Sequence, residues 1–339
     1  MSFTRLETSD FVVSADSVTT PLWTGNVPTL TTFFTSSVQA AGSTGDYFLS
    51  VYQTGSTVAG AEVQFDIVYG NKTGSGSLLY TVAVPGKSPS STIYGQYRTL
   101  VLGDENADFT FGSYTGTEFY GLSVSRNRYK ESLLPGALTL KITSGSNTVF
   151  LTDDSQVASS IVFKDAGRVF QLVSGSAGSI NTSKQTNGYT TDSGSYGWFL
   201  PDIGTILLNP HALAAPTANG GIALVRKANS NTDDNNPGLV FDIIKAGASF
   251  TLRSQETITS DFVFVRPRSA QYNYSENPSY ISGSTGELIY QDFIFNPQTY
   301  ITTVGLYNDT NDLLAVAKLS RPLRKDFTKE ALIRVKLDF

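Results

Sequence analysis

The sequence has no cysteine, one histidine, one methionine and two tryptophans, and only 16% of its 339 residues are charged. Each shortage removes a class of chemistry. Without cysteine there is no disulfide, no thiolate nucleophile and no thiolate-bound zinc, a usage compatible with folding in a reducing cytoplasm. A lone histidine, His211, cannot build a multi-histidine metal centre. No apolar run reaches the roughly 18 residues that a membrane-crossing helix needs, so no membrane span is expected. The first residues, "MSFTRLETSDFVVSADSV", lack the basic stretch and apolar core of a secretory leader. A net charge of -5 and a pI near 5.0 leave no general basic field to grip a phosphate backbone, and nucleic acid is not an expected partner.

Catalytic signatures are missing as well. There is no G-x-S-x-G elbow, P-loop, H-E-x-x-H or dinucleotide fingerprint. His211, in "LLNPHALAAP", reads as a surface or capping residue, because sequence places no nucleophile or carboxylate beside it. The oxygen-rich clusters "TDDSQ", "NTDDNNPG" and "YNDTND" do not follow the twelve-residue calcium loop with its terminal Glu, and they read as turns whose Asn and Asp side chains bond their own backbone. The acidic pairs Glu105 with Asp108 and Asp233 with Asp234 read as solvated loop charge, since glycoside cleavage needs two carboxylates held across a sugar bond. No enzyme activity, cofactor or metal is expected.

What the chain does have is Gly, Ser, Thr, Asn, 17 Tyr and 21 Phe, a mixture that favours short strands and many turns. In "AEVQFDIVYG", Val63, Phe65 and Ile67 alternate with Glu62, Gln64 and Asp66, as in a strand with one buried face. Similar runs occur in "GDYFLSVYQ", "SLLYTVAV", "YRTLVLG", "ADFTFGSY", "EFYGLSVSR" and "GALTLKIT". Helix is confined to short turns at "NPHALAA" and "DFTKEALI", and no internal repeat stands out. The expected class is mainly β, with two or three β-sandwich-like domains. These are an N-terminal β domain over residues 1–148, a β-rich middle domain with long polar loops over 149–255, and a C-terminal β segment over 256–339. The first and last segments are open to joining as one discontinuous domain.

The C-terminal segment is the most patterned. Tyr300, Thr302, Val304 and Leu306 fall on one face of a strand, "YNDTND" supplies turn residues that tolerate positive φ, and "LLAVAKL" returns as the partner. Arg321, Arg324, Lys325 and Lys329 form a basic patch ahead of a final strand, in which Ala331, Ile333, Val335, Leu337 and Phe339 alternate with Arg334, Lys336 and Asp338. Tyr272, Tyr274 and Tyr280 crowd one polar stretch, where Tyr offers large contact area with a polar tip. The candidate interface residues are therefore Tyr272, Tyr274, Tyr280, Arg321, Arg324, Lys325, Val335, Leu337 and Phe339, with the last strand available to complete a neighbour's sheet.

Four stretches carry a resemblance: residues 296–339, from "NPQTYITTVGLYNDTND" to "EALIRVKLDF"; "SVSRNRYKESLLPGALTLKI" at 123–142; "YGWFLPDIGTILLNPHAL" at 196–213; and "FVRPRSAQYNYSENPSYISGSTGELI" at 264–289. Together they resemble virion structural proteins of contractile-tailed bacteriophages, in particular cyanophage-like myoviruses. The resemblance implies a tail or baseplate-associated component, made in the host cytoplasm and carried in the virion, assembled in many copies with other phage structural proteins. It brings no catalytic residues. A capsid decoration protein, a receptor-binding tail-fibre module and a glycan depolymerase are the alternatives, separated by capsid binding, adsorption to host cells and polysaccharide cleavage.

Overall fold

The computed structural model describes residues 3–23, 35–38, 48–53, 55, 57–84, 88–182, 188–227, 235–275, 277–283 and 285–338. Contacts divide the chain into two units. Residues 18–256 form an insert unit, and residues 1–17 with 257–339 form a terminal unit. Strand accounts for 42% and helix for 16%, so the class is mainly β, as expected.

In chain order the strands are β1 (Phe11–Pro21), β2 (Thr35–Val38), β3 (Phe48–Tyr52), β4 (Val63–Asn71), β5 (Phe109–Phe111), β6 (Tyr114–Gly116) and β7 (Glu118–Val124). Next come β8 (Ser132–Leu133), β9 (Thr139–Ser144), β10 (Asn147–Asp153), β11 (Val162–Lys164), β12 (Gly167–Ser176) and β13 (Ser179–Ile180). The last are β14 (Gly197–Leu200), β15 (Thr205–Leu208), β16 (Ser249–Thr251), β17 (Arg253–Val265), β18 (Thr299–Tyr307), β19 (Leu313–Lys325) and β20 (Ile333–Asp338). The α-helices are α1 (Pro89–Leu102), α2 (Pro210–Ala214), α3 (Asn235–Gly247) and α4 (Asp292–Phe295).

The insert unit is built on one antiparallel sheet in the order β16-β9-β10-β12-β14-β15-β7-β4-β3-β2. Register sends alternate side chains to opposite faces. Ile67, Leu122, Ile206 and Phe199 line up on one face, packed with Val240 and Ile244 of α3. Trp198 and Leu207 point the other way, into a second core with Phe109, Phe111, Phe119 and with Tyr94 and Val101 of α1. Helix α3 touches β9 near one end of the sheet and also β3 and β4 near the other, so the sheet curls around it.

Several expectations change here. The division at 148/149 runs through β10, and the sheet continues from β9 through β10 to β12, so strands on both sides share one unit. Alternation reports that a strand exists but not which strands it pairs with. The one-faced reading of Val63–Asn71 also gives way. Gln64 is 1% exposed and Val68 packs into the second core, because α1 covers the face assigned to solvent. The run "YRTLVLG" lies in α1 rather than in a strand. Its N-terminal signals are Ser88 with Ser91 three residues on and Pro89 in the first turn, and Gly103 closes it in the left-handed region at φ 66°. "SLLYTVAV" forms turns, with Leu79 and Val82 exposed. Residues 235–238, assigned to a polar loop, open α3, while "DFTKEALI" is a turn leading into β20 rather than helix.

Gly197 shows how tightly the insert's sheet closes. It sits at φ 143°, and a Cβ there would fall onto the carbonyl of Leu207 in β15. Gly197→Ala is expected to lower unfolding free energy by about 2–4 kcal/mol in urea melts. An unchanged midpoint would mean that β14 and β15 can slide apart without loss.

The terminal unit pairs β1, β17 and β20 in that order, with Val263 opposite Val335 and Val265 opposite Ile333. The β18–β19 hairpin packs on it through Val304, with Leu6, Leu306, Leu319 and Leu337 half-buried around the contact. At the hairpin turn Asn308 Oδ1 accepts the backbone N–H groups of Thr310 and Asp312, and Asn311 takes φ 65°, as that turn sequence requires. The predicted face of β18 is broken by a bulge between Ile301 and Thr303. Val304 and Leu306 face inward as expected, but upstream Thr299 and Ile301 do so while Tyr300 and Thr302 are exposed. The register jumps from Ile301↔Leu323 to Thr303↔Lys318, which sets one residue of β18 against four of β19, and β18 changes face across that irregularity. The final strand keeps the predicted alternation over 331–338, and Phe339 lies outside the described residues.

Candidate functional site

The terminal unit has little core and much apolar surface. Among the described residues its buried apolar side chains are Val263, Phe293, Val304 and Val335. By contrast, Phe295 is 87% exposed, Val13 69% and Leu314 68%. On the hairpin, Val316 stands opposite Gly305, which has no side chain to cover it, and the Tyr307 ring leans over the same glycine. Leu314, Val316 and Tyr307 therefore form an exposed apolar ridge.

A groove of about 1920 Å³ also lies within this unit, with Tyr272, Tyr274, Phe293, Tyr307 and Phe327 in its wall. Phe3 packs edge-on against Tyr307 at 5.1 Å, and the hydroxyls of Thr4 and Tyr272 are 2.8 Å apart. Tyr272 and Tyr274 are thus surface residues, whereas half-buried Tyr280 packs its ring on Phe293 at 5.3 Å.

The basic patch divides. Arg321 is exposed, and Arg324 lies 3.3 Å from Asp326. Lys325 is not available to a partner: it is 0% exposed, and its Nζ donates to Ser269 O at 2.8 Å, Asn273 Oδ1 at 2.9 Å and Asp326 O at 3.0 Å. An ammonium removed from water must find such acceptors. Val335 is buried and Leu337 half-buried in the unit's own core, so both hold the fold rather than an interface.

The insert unit contains a polar centre that sequence spacing hides, around the single histidine. Asn209 caps α2, accepting the His211 N–H and donating to Ser193 O and Ser195 O, and so fixes where His211 projects. Its Nε2 lies 3.1 Å from Glu118 Oε1 and 3.2 Å from Arg226. Glu118 is 3% exposed. It accepts from Arg226, from the Tyr69 hydroxyl at 2.6 Å and from Asn71 at 3.5 Å, and Asn71 is its register partner on β4. Burial by itself would raise the Glu118 carboxyl, but hydrogen bonds from His211 and Tyr69 and the Arg226 charge outweigh it and hold the group below its ordinary value. Burial, and then the Glu118 charge, push the Tyr69 phenol far up.

A carboxylate so stabilised is a weak base, and its oxygens are already occupied. The arrangement is suited to joining β4, β7, α2 and the 224–227 segment by charge. The acidic clusters are likewise structural. Asp153 accepts from the Gly136 and Ser155 N–H groups, Asp154 from Gln171 N–H, and Asp108 pairs with Lys72 at 2.7 Å. Asp233 and Asp234 lie outside the described residues. No family model, curated protein or solved structure matches this chain.

Proposed function

We propose that the chain is a structural subunit of a phage virion, placed at the tail or baseplate and working through noncovalent contacts with other phage structural proteins in a multi-copy assembly. One observation carries this reading: a terminal unit with four buried apolar side chains among its described residues turns Val13, Phe295, Leu314 and Val316 outward. Apolar surface of that kind is stabilised by a partner, and obligate interfaces resemble a domain core cut in half. The resemblance of residues 264–289 and 296–339 to virion proteins of contractile-tailed phages supports the tail location.

Cryo-electron microscopy of intact particles tests it. Density at the distal end of the tail supports the reading, density on the capsid moves the protein to a decoration role, and absence from the particle overturns it. Leu314→Ser with Val316→Ser is expected to reduce incorporation into particles while moving folding stability by less than about 0.5 kcal/mol, as for exposed positions. A fall of several degrees in melting temperature would assign the ridge to internal packing. The groove walled by Tyr272 and Tyr274 favours a second reading, a receptor-binding module, which adsorption of the purified chain to host cells separates from the first.

A further inference from the structure

The terminal unit's sheet has two open edges. β1 and β20 each pair with β17 and, among the described residues, with no other strand. Each therefore offers an outer row of N–H and C=O groups to another strand. Long edges are ordinarily blunted by lysine, proline or a bulge. Pro21 closes the far end of β1, but from Leu6 to Thr20 there is no Lys, Arg or Pro, and Phe11, Val12 and Val13 are exposed on both faces of β1.

The two edges differ in charge. Along β1 the charged side chains are Asp10, immediately before the strand, and Asp16. Along the outer face of β20 they are Arg334 and Lys336, followed by Asp338, which already accepts from Ser260 and pairs with Lys336 at 2.9 Å. Joining β1 to β1, or β20 to β20, would set like charges together. Joining β1 to β20 sets opposite charges together, and cross-strand pairs of that kind are stabilising.

We infer that the β20 edge of one copy adds to the β1 edge of a second copy, continuing the sheet head to tail. This rests on the reading of the chain as a multi-copy subunit and names that subunit's partner as itself. Because the two surfaces differ, the contact is heterologous: it builds a closed ring where the rotation per copy closes and a filament where it does not. Backbone hydrogen bonds hold the joint, Phe11, Val12 and Val13 are covered by it, and charge sets which edges meet.

Charge reversal on the full chain tests it. Copies with Asp16→Lys, and separately copies with Arg334→Glu and Lys336→Glu, are expected to self-associate about tenfold more weakly than wild type in sedimentation. An equimolar mixture of the two is expected to regain wild-type association, since each now complements the other. Undiminished association of either variant, or a mixture that stays monomeric, overturns the joint. Hydrogen exchange on the wild-type chain gives an answer independent of the variants' folding. Raising the concentration should protect Phe11–Asp16 and Ile333–Asp338 together, whereas protection of β1 alone, or of neither, overturns it. A wild-type chain that stays monomeric at every concentration sinks the joint and leaves the virion location standing. A chain that joins its edges but is absent from particles does the reverse.

Discussion

Glu118→Ala is expected to lower the unfolding free energy of the insert unit by about 4 kcal/mol, because it leaves a guanidinium and a buried phenol without their acceptor. For a unit of this size that corresponds to about 8–16 °C in melting temperature. Trp23 and Trp198 both lie in the insert unit, so fluorescence reports that unit alone. Glu118→Gln keeps the shape, loses the charge and separates electrostatics from packing. The pH dependence has a definite sign. A carboxyl held below its ordinary value when folded contributes stability above its unfolded pKa and loses it as pH falls through the folded one. Wild type should therefore lose stability below about pH 5, and the Gln variant should lack that portion. Asp202, where burial is outweighed by hydrogen bonds and charge from Arg168, adds a loss of the same sign. Asp153 and Asp154, raised chiefly by burial, oppose it. Identical acid slopes in wild type and Glu118→Gln would remove the carboxylate from its assigned role.

Lys325→Met should unfold the terminal unit selectively, at a cost of about 3 kcal/mol. The change removes the ammonium that Ser269 O, Asn273 Oδ1 and Asp326 O share, and it takes the donor from buried Asn273 Oδ1, while Ser269 O keeps the Asn273 amide and Asp326 O keeps the Lys329 N–H. Asn273 is itself buried and donates to Ser269 O at 2.6 Å, so the 269–273 loop is wound around this one cation. With so few buried apolar side chains among its described residues, the unit has little in reserve. The expected result is loss of hydrogen-exchange protection across β18, β19 and the 269–273 loop, with an unchanged tryptophan-monitored midpoint. Retained protection would show that water or a shifted loop can replace the ammonium at Asn273 Oδ1.

These two residues also mark what was legible in the sequence. The mainly β class, the β18–β19 hairpin, the final strand's alternation and the short helix at α2 follow from local rules of periodicity and turn chemistry. Lys325 was misplaced among basic surface residues because charge suggests exposure, and only tertiary contacts reveal the three oxygens that surround it. Glu118 and His211 are 93 positions apart, and nothing in their spacing announces a contact. Strand parity fails upstream of Val304 because residues 319–322 of the partner strand loop out of register, and only Pro322 among them hints at it. Helix α1 was misread for a different reason. Its cap signals at Ser88, Pro89, Ser91 and Gly103 were present, but β-branched and aromatic residues in "YRTLVLG" argued for strand, and packing against β4 decided the matter.

The insertion of one unit within the other also fixes an order of events during synthesis. β1 leaves the ribosome about 240 residues before its partner β17 is complete, and at roughly 5–20 residues per second it waits tens of seconds with an unprotected edge. The insert shortens that exposure once it folds. The Leu22 N–H donates to Leu252 O at 3.2 Å, and Trp23 Nε1 donates to Phe250 O at 2.9 Å, so the insert's two ends are stitched together at the points where β1 enters and β17 leaves. Closing a flexible loop of that length would cost about 5 kcal/mol of chain entropy, and a folded insert has already met it. The sheet of β1, β17 and β20 can therefore close only after the insert has been synthesised, and the Trp23–Phe250 bond holds together the two ends from which β1 and β17 run.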